Sequence, residues 1–341
     1  MEPSPRLHAV DPGAQASPGT FPEGVLAALA GATGWLNSAP VTEAALRGRV
    51  VLIQFWTFTC INWLRTLPYV RAWNRRYAGE GLVAIGVHTP EFDVEEDAEN
   101  VRRAADHLRV DYPIALDTAY TIWDAFGNRF WPALYLIDAH GRIRYNYFGE
   151  GDEARSERVV QRLLTEAGGR DVGTEPTAVD PVGVEAPAAW DDAKSWETYL
   201  GYERSQNFVS FDDPAWDTRH VYGVPERLRL NDWGLSGDWT LRRQAAVLNR
   251  AGGHIAYRFH ARDLHLVMGP VDRRRPVRFR VGLDGRPPGT AHGVDVDRRG
   301  VGAVTAPRLY QVIRQPGAVA ERTFNITFLH PGIRAYAVTF G

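Results

Sequence analysis

Cysteine is almost missing from this chain, since Cys60 is the only one in 341 residues. A single thiol excludes an intrachain disulfide and a metal cluster held by several cysteines. It says little about the redox compartment, because a chain with one thiol can exist in an oxidising or a reducing environment. Any disulfide that this protein forms must therefore join Cys60 to a sulfur of another molecule.

Long apolar runs and an excess of one charge are missing as well. No apolar stretch approaches the ~20 residues of a membrane-spanning helix, and the N-terminal MEPSPRLHAVDPGAQASPGT lacks the apolar core of a signal peptide. Because 39 basic and 41 acidic residues mix along the chain, nothing indicates nucleic acid as the main partner. We expect a cytoplasmic protein without a membrane partner, or an extracytoplasmic one if the sequence is a trimmed piece of a longer protein.

The length and composition predict two folded domains. A chain of 341 residues exceeds one ordinary domain, and 44% hydrophobic residues supply enough material for two cores. Residues 1–24 are rich in Pro, Gly, Ser and Ala, and we expect them to be flexible. Residues 168–189 are dense in Gly and Pro and predict a linker between domains at 25–167 and 190–341.

The first domain reads as an α/β layer fold. Residues 50–56 and 82–87 are nearly continuous apolar runs, as in strands covered on both faces. Residues 95–108 have acids at the front and Arg and His toward the end, which matches a helix dipole. Helices at 60–77, 120–126 and 153–166, a strand at 114–117 and a hairpin of 133–138 with 142–147 complete a β-α-β-α-β-β-α order with an antiparallel edge.

The second domain reads as a β-sandwich of jelly-roll type. Short alternating stretches at 253–259, 264–268, 277–281, 323–328 and 335–340 predict strands. Turn signals such as Asp284-Gly285 and Pro331-Gly332 separate them, and no strong helix intervenes.

Cys60 follows a predicted buried strand and opens a predicted helix. The free N–H groups and partial positive charge at a helix start favour a thiolate, which is how reactive cysteines are commonly tuned. The competing interpretation is that Cys60 is a small buried hydrophobic residue.

The segment FWTFTCINW around Cys60, with Pro68 further along, resembles the active-site segment of thioredoxin-like proteins. Trp131-Pro132 matches the loop in which that family carries a cis-proline facing its cysteines. The segments GVHTPEF, WPALYLIDAHGRIRYNYFGEGD and RLYQVIRQPG resemble more particularly the soluble C-terminal part of DipZ-type proteins. The resemblance implies a TlpA-like thioredoxin domain followed by a β-rich domain similar to carbohydrate-binding modules.

Two positions depart from the family pattern. Trp63 stands where the family has its second cysteine, and Gln54 stands where it usually has a buried acid. In a dithiol enzyme that acid takes the proton of the second thiol, so a protein without the thiol has no use for the acid. The resemblance then implies that Cys60 can attack a disulfide or a peroxide, but that an external thiol must resolve the product.

Other residues near Cys60 are weaker candidates. Thr57 sits where peroxidatic thioredoxin-fold proteins place a hydroxyl, although their preceding proline is missing. His88 ends a parallel strand, where open α/β sheets gather their ligands, and Glu91 shares its loop. We expect Trp56, Trp63 and Trp131 to form an apolar floor around the sulfur, which opposes charge on it.

Aromatic residues of the second domain suggest stacking against a sugar. The candidates are Trp196, Trp216, Trp233, Trp239, Tyr199, Tyr202 and Tyr257, with His260, Asp263 and Asp284 as hydrogen-bonding partners. Most aromatic side chains of a sandwich belong to its core, so each single residue is a better candidate for packing. No histidine spacing indicates a metal site, and we expect no cofactor.

Three functions are open at this point. The favoured one is a thioredoxin-fold oxidoreductase with Cys60 as its sole nucleophile, supported by Pro132, Thr57 and the residues around them. It would act on a partner protein disulfide or an external thiol. The second is a non-catalytic adaptor on a degenerate thioredoxin scaffold, and the third is a carbohydrate-binding protein.

Overall fold

The structure, a computed structural model, describes residues 24–341. The flexible segment predicted for residues 1–24 lies outside the described residues except for Gly24. The chain divides into two compact units, Met1–Glu185 and Ala186–Gly341, which are described separately here. The domain and linker boundaries from the sequence stay predictions.

The first unit is a six-stranded sheet with five α-helices. The helices are α1 (Glu43–Leu46), α2 (Ile61–Tyr77), α3 (Ala98–His107), α4 (Thr121–Ala125) and α5 (Glu153–Glu166). The strands are β1 (Gly34–Leu36), β2 (Val50–Trp56), β3 (Leu82–His88), β4 (Ile114–Leu116), β5 (Ala133–Ile137) and β6 (Ile143–Phe148). Their order in the sheet is β1-β4-β3-β2-β5-β6.

Strand β2 is the centre of this sheet and places the cysteine. All seven of its residues are buried, as expected of a strand covered on both faces. It pairs parallel to β3 on one side and antiparallel to β5 on the other. The thioredoxin-like fold predicted from the sequence is confirmed, with Cys60 between the end of β2 and the start of α2.

Two local predictions in this unit need correction. Residues 34–36, which the burial patterns assigned to no strand or helix, form the edge strand β1, which pairs antiparallel to β4. Helix α3 begins at Ala98, after Asp97, whose side chain accepts the N–H of Glu99. The helix was predicted to begin at Glu95, but that residue belongs to the preceding 3-10 turn, and its carboxylate accepts the N–H of Phe92.

The Gly- and Pro-rich segment after α5 packs on the first unit along part of its length. The amide of Gln161 donates to the carbonyl of Glu175 at 3.1 Å. The N–H of Thr177 donates to the carboxylate of Glu157 in α5. Near the end of the segment, Glu185 accepts two hydrogen bonds from Arg71 of α2, at 2.7 and 2.8 Å. The predicted linker is therefore bound to α5 at Glu175 and Thr177 and to α2 at Glu185.

The second unit is a curled antiparallel β-sheet domain, which confirms the all-β class predicted for it. Its strands are β7 (Thr198–Tyr199), β8 (Arg219–Tyr222), β9 (Trp233–Leu241), β10 (Ala246–Leu248), β11 (His254–His260), β12 (Asp263–Pro270), β13 (Val277–Leu283), β14 (Val301–Val304), β15 (Arg308–Arg314), β16 (Glu321–Phe328) and β17 (Ile333–Phe340). The main path of the sheet is β14-β13-β16-β11-β9-β10-β17-β12-β15. Among residues 24–341, no helix is long and apolar enough to cross a membrane.

Candidate functional site

Cys60 is the N-cap residue of helix α2. Its backbone is extended, with φ −77° and ψ 114°, while its carbonyl already accepts the N–H of Leu64 at 3.1 Å. Its own N–H donates to the carbonyl of Thr57 at 3.2 Å, so a turn carries the chain from β2 into the helix. The residue is half-buried, whereas a purely structural cysteine is most often fully buried. The sulfur thus lies at a helix start and within reach of solvent.

The cis-proline loop faces the sulfur. The peptide bond between Trp131 and Pro132 is cis, as the resemblance implies. The Cys60 thiol donates to the carbonyl oxygen of Trp131, with 3.7 Å between Sγ and O. Residues 60 and 131 are distant in sequence, and the antiparallel pairing of β5 with β2 brings them together.

A closed set of hydrogen bonds occupies the place where the family pattern has its second thiol. Trp63 is fully buried, and its indole Nε1 donates to Oε1 of Gln54 at 3.1 Å. The amide of Gln54 donates to Thr66 at 2.9 Å, and the Thr66 hydroxyl donates to the carbonyl of Trp63 at 2.8 Å. Trp63 also stacks on the buried ring of Trp56, with centroids 4.2 Å apart. The two departures from the family pattern are therefore in direct contact.

His88 is buried and neutral. Its ring meets the edge of Trp56 at 4.8 Å between centroids and lies parallel to Phe58 at 5.8 Å. Burial lowers the pKa of His88 to about 3, so at neutral pH it carries no charge. The suggested role of this histidine as a base gains no support from this environment.

Glu95 is a buried carboxyl beside the cysteine turn, and the sequence analysis missed it. It accepts the hydroxyl of Thr59 at 2.6 Å and the N–H groups of Glu91 and Phe92 at 2.7 and 3.0 Å. Burial, with a smaller contribution from the charge of Glu91, raises the pKa of Glu95 to about 7. Thr57, in the same turn, is also buried.

Three partly exposed aromatic rings continue outward from the cis-proline loop. Trp131 contacts Trp123 with centroids 4.3 Å apart, and Trp123 contacts Tyr120 at 6.0 Å. The indole of Trp131 is fixed by a 3.1 Å hydrogen bond to the carbonyl of Thr89. The buried Asp117 joins these parts, because it accepts the Thr89 hydroxyl at 3.1 Å and the N–H of Trp123 at 2.9 Å. This aromatic surface, Trp131-Trp123-Tyr120, was not found from the sequence.

The sugar-stacking candidates of the second unit separate into core and surface. Trp233, Trp239, Tyr257 and Asp263 are fully buried and cannot face a ligand, which corrects their proposed role. His260 and Asp284 are engaged by their own unit, through Asp192 and Arg322 respectively. Trp196 and Trp216 are about half exposed. Tyr199 lies under the guanidinium of Arg204, and Tyr202 lies beside Trp216 at 5.2 Å.

Metal-ligating side chains do not cluster in the described part of the chain. No group of three or more His, Cys, Asp or Glu residues there could hold a metal ion.

With a helix-start cysteine facing a cis-proline on a sheet of this order, the first unit has a thioredoxin-like fold. Residues 21–164 match the Redoxin family model. Residues 195–341 match the model described as the thioredoxin like C-terminal domain.

One similar protein matches most of this chain, and another matches less than half of it. The chain is 37% identical over 275 residues to protein DipZ of Mycobacterium tuberculosis, covering 79% of this chain and 37% of DipZ. It therefore spans little more than a third of the length of that relative. It is 28% identical over 138 residues to the thiol-disulfide oxidoreductase YkuV of Bacillus subtilis, covering 40% of this chain and 93% of YkuV.

A solved structure to which part of this chain is similar is that of a thioredoxin-like protein in the oxidised form. It is 30% identical, with a TM-score of 0.37, and covers 39% of this chain and 90% of its own.

Proposed function

We propose that the first unit is a thiol-disulfide oxidoreductase domain in which Cys60 is the sole nucleophile. The observation that carries the proposal is the half-buried sulfur at the start of α2, 3.7 Å from the carbonyl before Pro132. Two similar proteins, YkuV and ResA of Halalkalibacterium halodurans, are named thiol-disulfide oxidoreductases, which is the same reaction class.

The reaction has two steps. The Cys60 thiolate attacks one sulfur of a substrate disulfide, forming a Cys60–substrate disulfide and releasing the other sulfur as a thiolate. Because Trp63 occupies the position of the second cysteine, no thiol of this chain can attack that intermediate. An external thiolate then attacks the substrate sulfur of the mixed disulfide, which restores the Cys60 thiolate and leaves a new external disulfide. Electrons and protons balance without a cofactor.

A polypeptide is the partner that the surroundings of the sulfur favour. The aromatic surface Trp131-Trp123-Tyr120 offers partly exposed rings for apolar side chains of a bound chain. The Trp131 ring is held in place by its hydrogen bond to the carbonyl of Thr89, so this ring loses little conformational freedom when a partner binds.

Disulfide exchange is better supported than peroxide reduction. In the peroxidatic interpretation Thr57 would place its hydroxyl next to a bound peroxide beside the sulfur. Thr57 is fully buried, however, so its hydroxyl is not open to a peroxide arriving from solvent. No other feature of the site singles out a peroxide.

The alternative is a scaffold that has lost its redox cycle. The buried set of Trp63, Gln54 and Thr66 supports it, because those residues now serve packing. The rate of Cys60 alkylation against pH, measured by intact mass, decides between the two functions. As the chain has one cysteine, the signal has a single source, and C60S is the control that must show none.

A reactive cysteine gives an apparent thiol pKa well below the free value of ~8.5, and the labelled sulfur also exchanges with a peptide disulfide. Absence of labelling in the folded protein, or a thiol pKa at or above the free value, would contradict the oxidoreductase proposal and favour the scaffold.

A glycan is the second candidate ligand, for the β domain alone. Tyr202 and Trp216 form an exposed pair of rings, with Asp217 accepting the Tyr202 hydroxyl at 2.7 Å. Flat apolar faces next to polar groups are suited to a sugar ring.

A further inference from the structure

A buried carboxyl links the turn before Cys60 to the loop after β3. Only 1% of Glu95 is exposed. One carboxylate oxygen accepts the Thr59 hydroxyl at 2.6 Å, and the other accepts the N–H groups of Glu91 and Phe92 at 2.7 and 3.0 Å. Thr59 immediately precedes Cys60. A single side chain thus holds two loops that approach the sulfur from different strands.

The hydrogen bonds from Thr59, Glu91 and Phe92 are all donated to this carboxyl, so they favour its ionised form. A protonated carboxyl must use one oxygen as a donor, and a neutral acid accepts hydrogen bonds more weakly. Burial opposes ionisation, with the result that the pKa of Glu95 is raised to about 7. The carboxyl therefore gains and loses its proton in the range where a tuned thiol also ionises.

The charged surroundings of Glu95 are simple. Glu91 is the charged side chain that acts on it, and it adds to the rise in pKa. Asp93 and Glu96 are exposed members of the same turn. On the side of β3, His88 is kept neutral by burial. On the side of β2, the Thr59 hydroxyl donates to Glu95, and Thr59 immediately precedes Cys60.

We propose that Glu95 is a positioning residue for Cys60. It acts through the Thr59 hydroxyl, and its proton switches the cysteine turn between two states of thiol reactivity. With Glu95 ionised, the turn is held by a charged hydrogen bond, and the negative charge opposes a thiolate on Cys60. With Glu95 protonated, both effects weaken. The inference rests on the proposed function of Cys60 as a nucleophile and names the group that regulates it.

The test is the rate of Cys60 alkylation by iodoacetamide, a neutral reagent, between pH 5 and 10 in the full chain. We compare the wild type with E95Q and T59V. Glutamine keeps the shape, can accept both N–H groups and donate to Thr59, and stays neutral at every pH. Valine keeps the shape of Thr59 and removes the hydroxyl. Thermal melting establishes that each variant is folded, and T59V alone carries the test if E95Q does not fold.

The wild type should show two inflections, one near pH 7 from Glu95 and one from the thiol. In E95Q the lower inflection disappears and the thiol inflection moves down by about one pH unit, because a like charge is removed. In T59V the lower inflection shrinks at least about twofold, since the link through the hydroxyl is lost.

Three outcomes overturn the proposal, and they differ from one another. If Cys60 is reactive but the E95Q profile superimposes on that of the wild type, Glu95 has no part in positioning it, and the oxidoreductase proposal stands. An unchanged lower inflection in T59V overturns the route through Thr59. If Cys60 is unreactive in the wild type, the oxidoreductase proposal fails, and this inference fails with it.

Discussion

The hydrogen bond between Trp63 and Gln54 should contribute measurably to the stability of the first unit. W63F removes the indole N–H that donates to Gln54 at 3.1 Å and leaves the buried amide oxygen of Gln54 without that donor. Trp73, on the same helix, provides the matched control. Its ring is also buried, and its Nε1 has no hydrogen-bond partner among the described residues. W73F therefore trims the same atoms without breaking a hydrogen bond.

The magnitudes follow from burial. Trimming a buried indole to a phenyl ring removes packed atoms, and we expect W73F to cost about 1–2 kcal/mol. W63F should cost about 1–2 kcal/mol more, because a buried acceptor is left unsatisfied. The double variant Q54L/W63F replaces both partners by apolar groups. It should be more stable than the sum of the single variants indicates, by a coupling energy of about 1–2 kcal/mol.

The assay is urea unfolding of the full chain, read by hydrogen exchange of peptides from α2. This readout reports on the first unit alone, so unfolding of the β domain does not enter the free energy. Equal costs for W63F and W73F would refute the reasoning, as would a Q54L/W63F variant whose cost equals the sum of Q54L and W63F. Either result would mean that Trp63 stabilises the unit by packing alone, without a contribution from its hydrogen bond to Gln54.

The stability of the protein in acid should depend on His88. Burial lowers the pKa of this residue from 6.5 to about 3 in the folded chain. Between those two pH values, a proton therefore binds to His88 only in the unfolded chain. The wild type then loses up to about 4 kcal/mol of stability over this range relative to H88N, measured by urea midpoints against pH; parallel midpoints would contradict this. For glycan binding, W216A should weaken the affinity of the full chain for neutral oligosaccharides about tenfold, equivalent to ~1.4 kcal/mol. The equally exposed W196A is its control, and equal affinities in calorimetry would remove Trp216 from the site.

The fold of the first unit could be predicted largely from burial patterns. Strands β2 and β3 are covered on both faces, so their sequences are continuous apolar runs with a clear length. Strand β1 could not be found in this way. Its three residues lie at the edge of the sheet with mixed exposure, and their pairing with β4, about 80 residues away, determines their structure.

In the second unit, buried aromatic residues could not be distinguished from exposed ones by sequence alone. Trp216 and Trp233 lie in similar local sequences, but Trp233 is in strand β9 and faces the core, whereas Trp216 precedes β8 and is half exposed. This difference depends on which face of the curled sheet a residue occupies, and the sheet order sets that face.

Glu95 shows why the candidate site was incomplete. In the sequence it is one of several acids ahead of a helix, where an exposed carboxylate favours the helix dipole. Its actual partner, Thr59, is 36 positions earlier and reaches it only because β2 and β3 are neighbours. The local signal was limited to its spacing from Phe92, whose N–H it accepts.

The two departures from the family pattern are best understood as one change. Gln54 lies within β2 and Trp63 in the first turn of α2, and the packing of that turn on the strand puts their polar atoms 3.1 Å apart. An acid at position 54 would be a buried charge, and neither of its oxygens could donate to Thr66 as the Gln54 amide does. A cysteine at 63 would leave a cavity beside Trp56 and an amide oxygen without its donor. Restoring either residue alone is therefore destabilising, so the single-thiol site is a stable state of this fold.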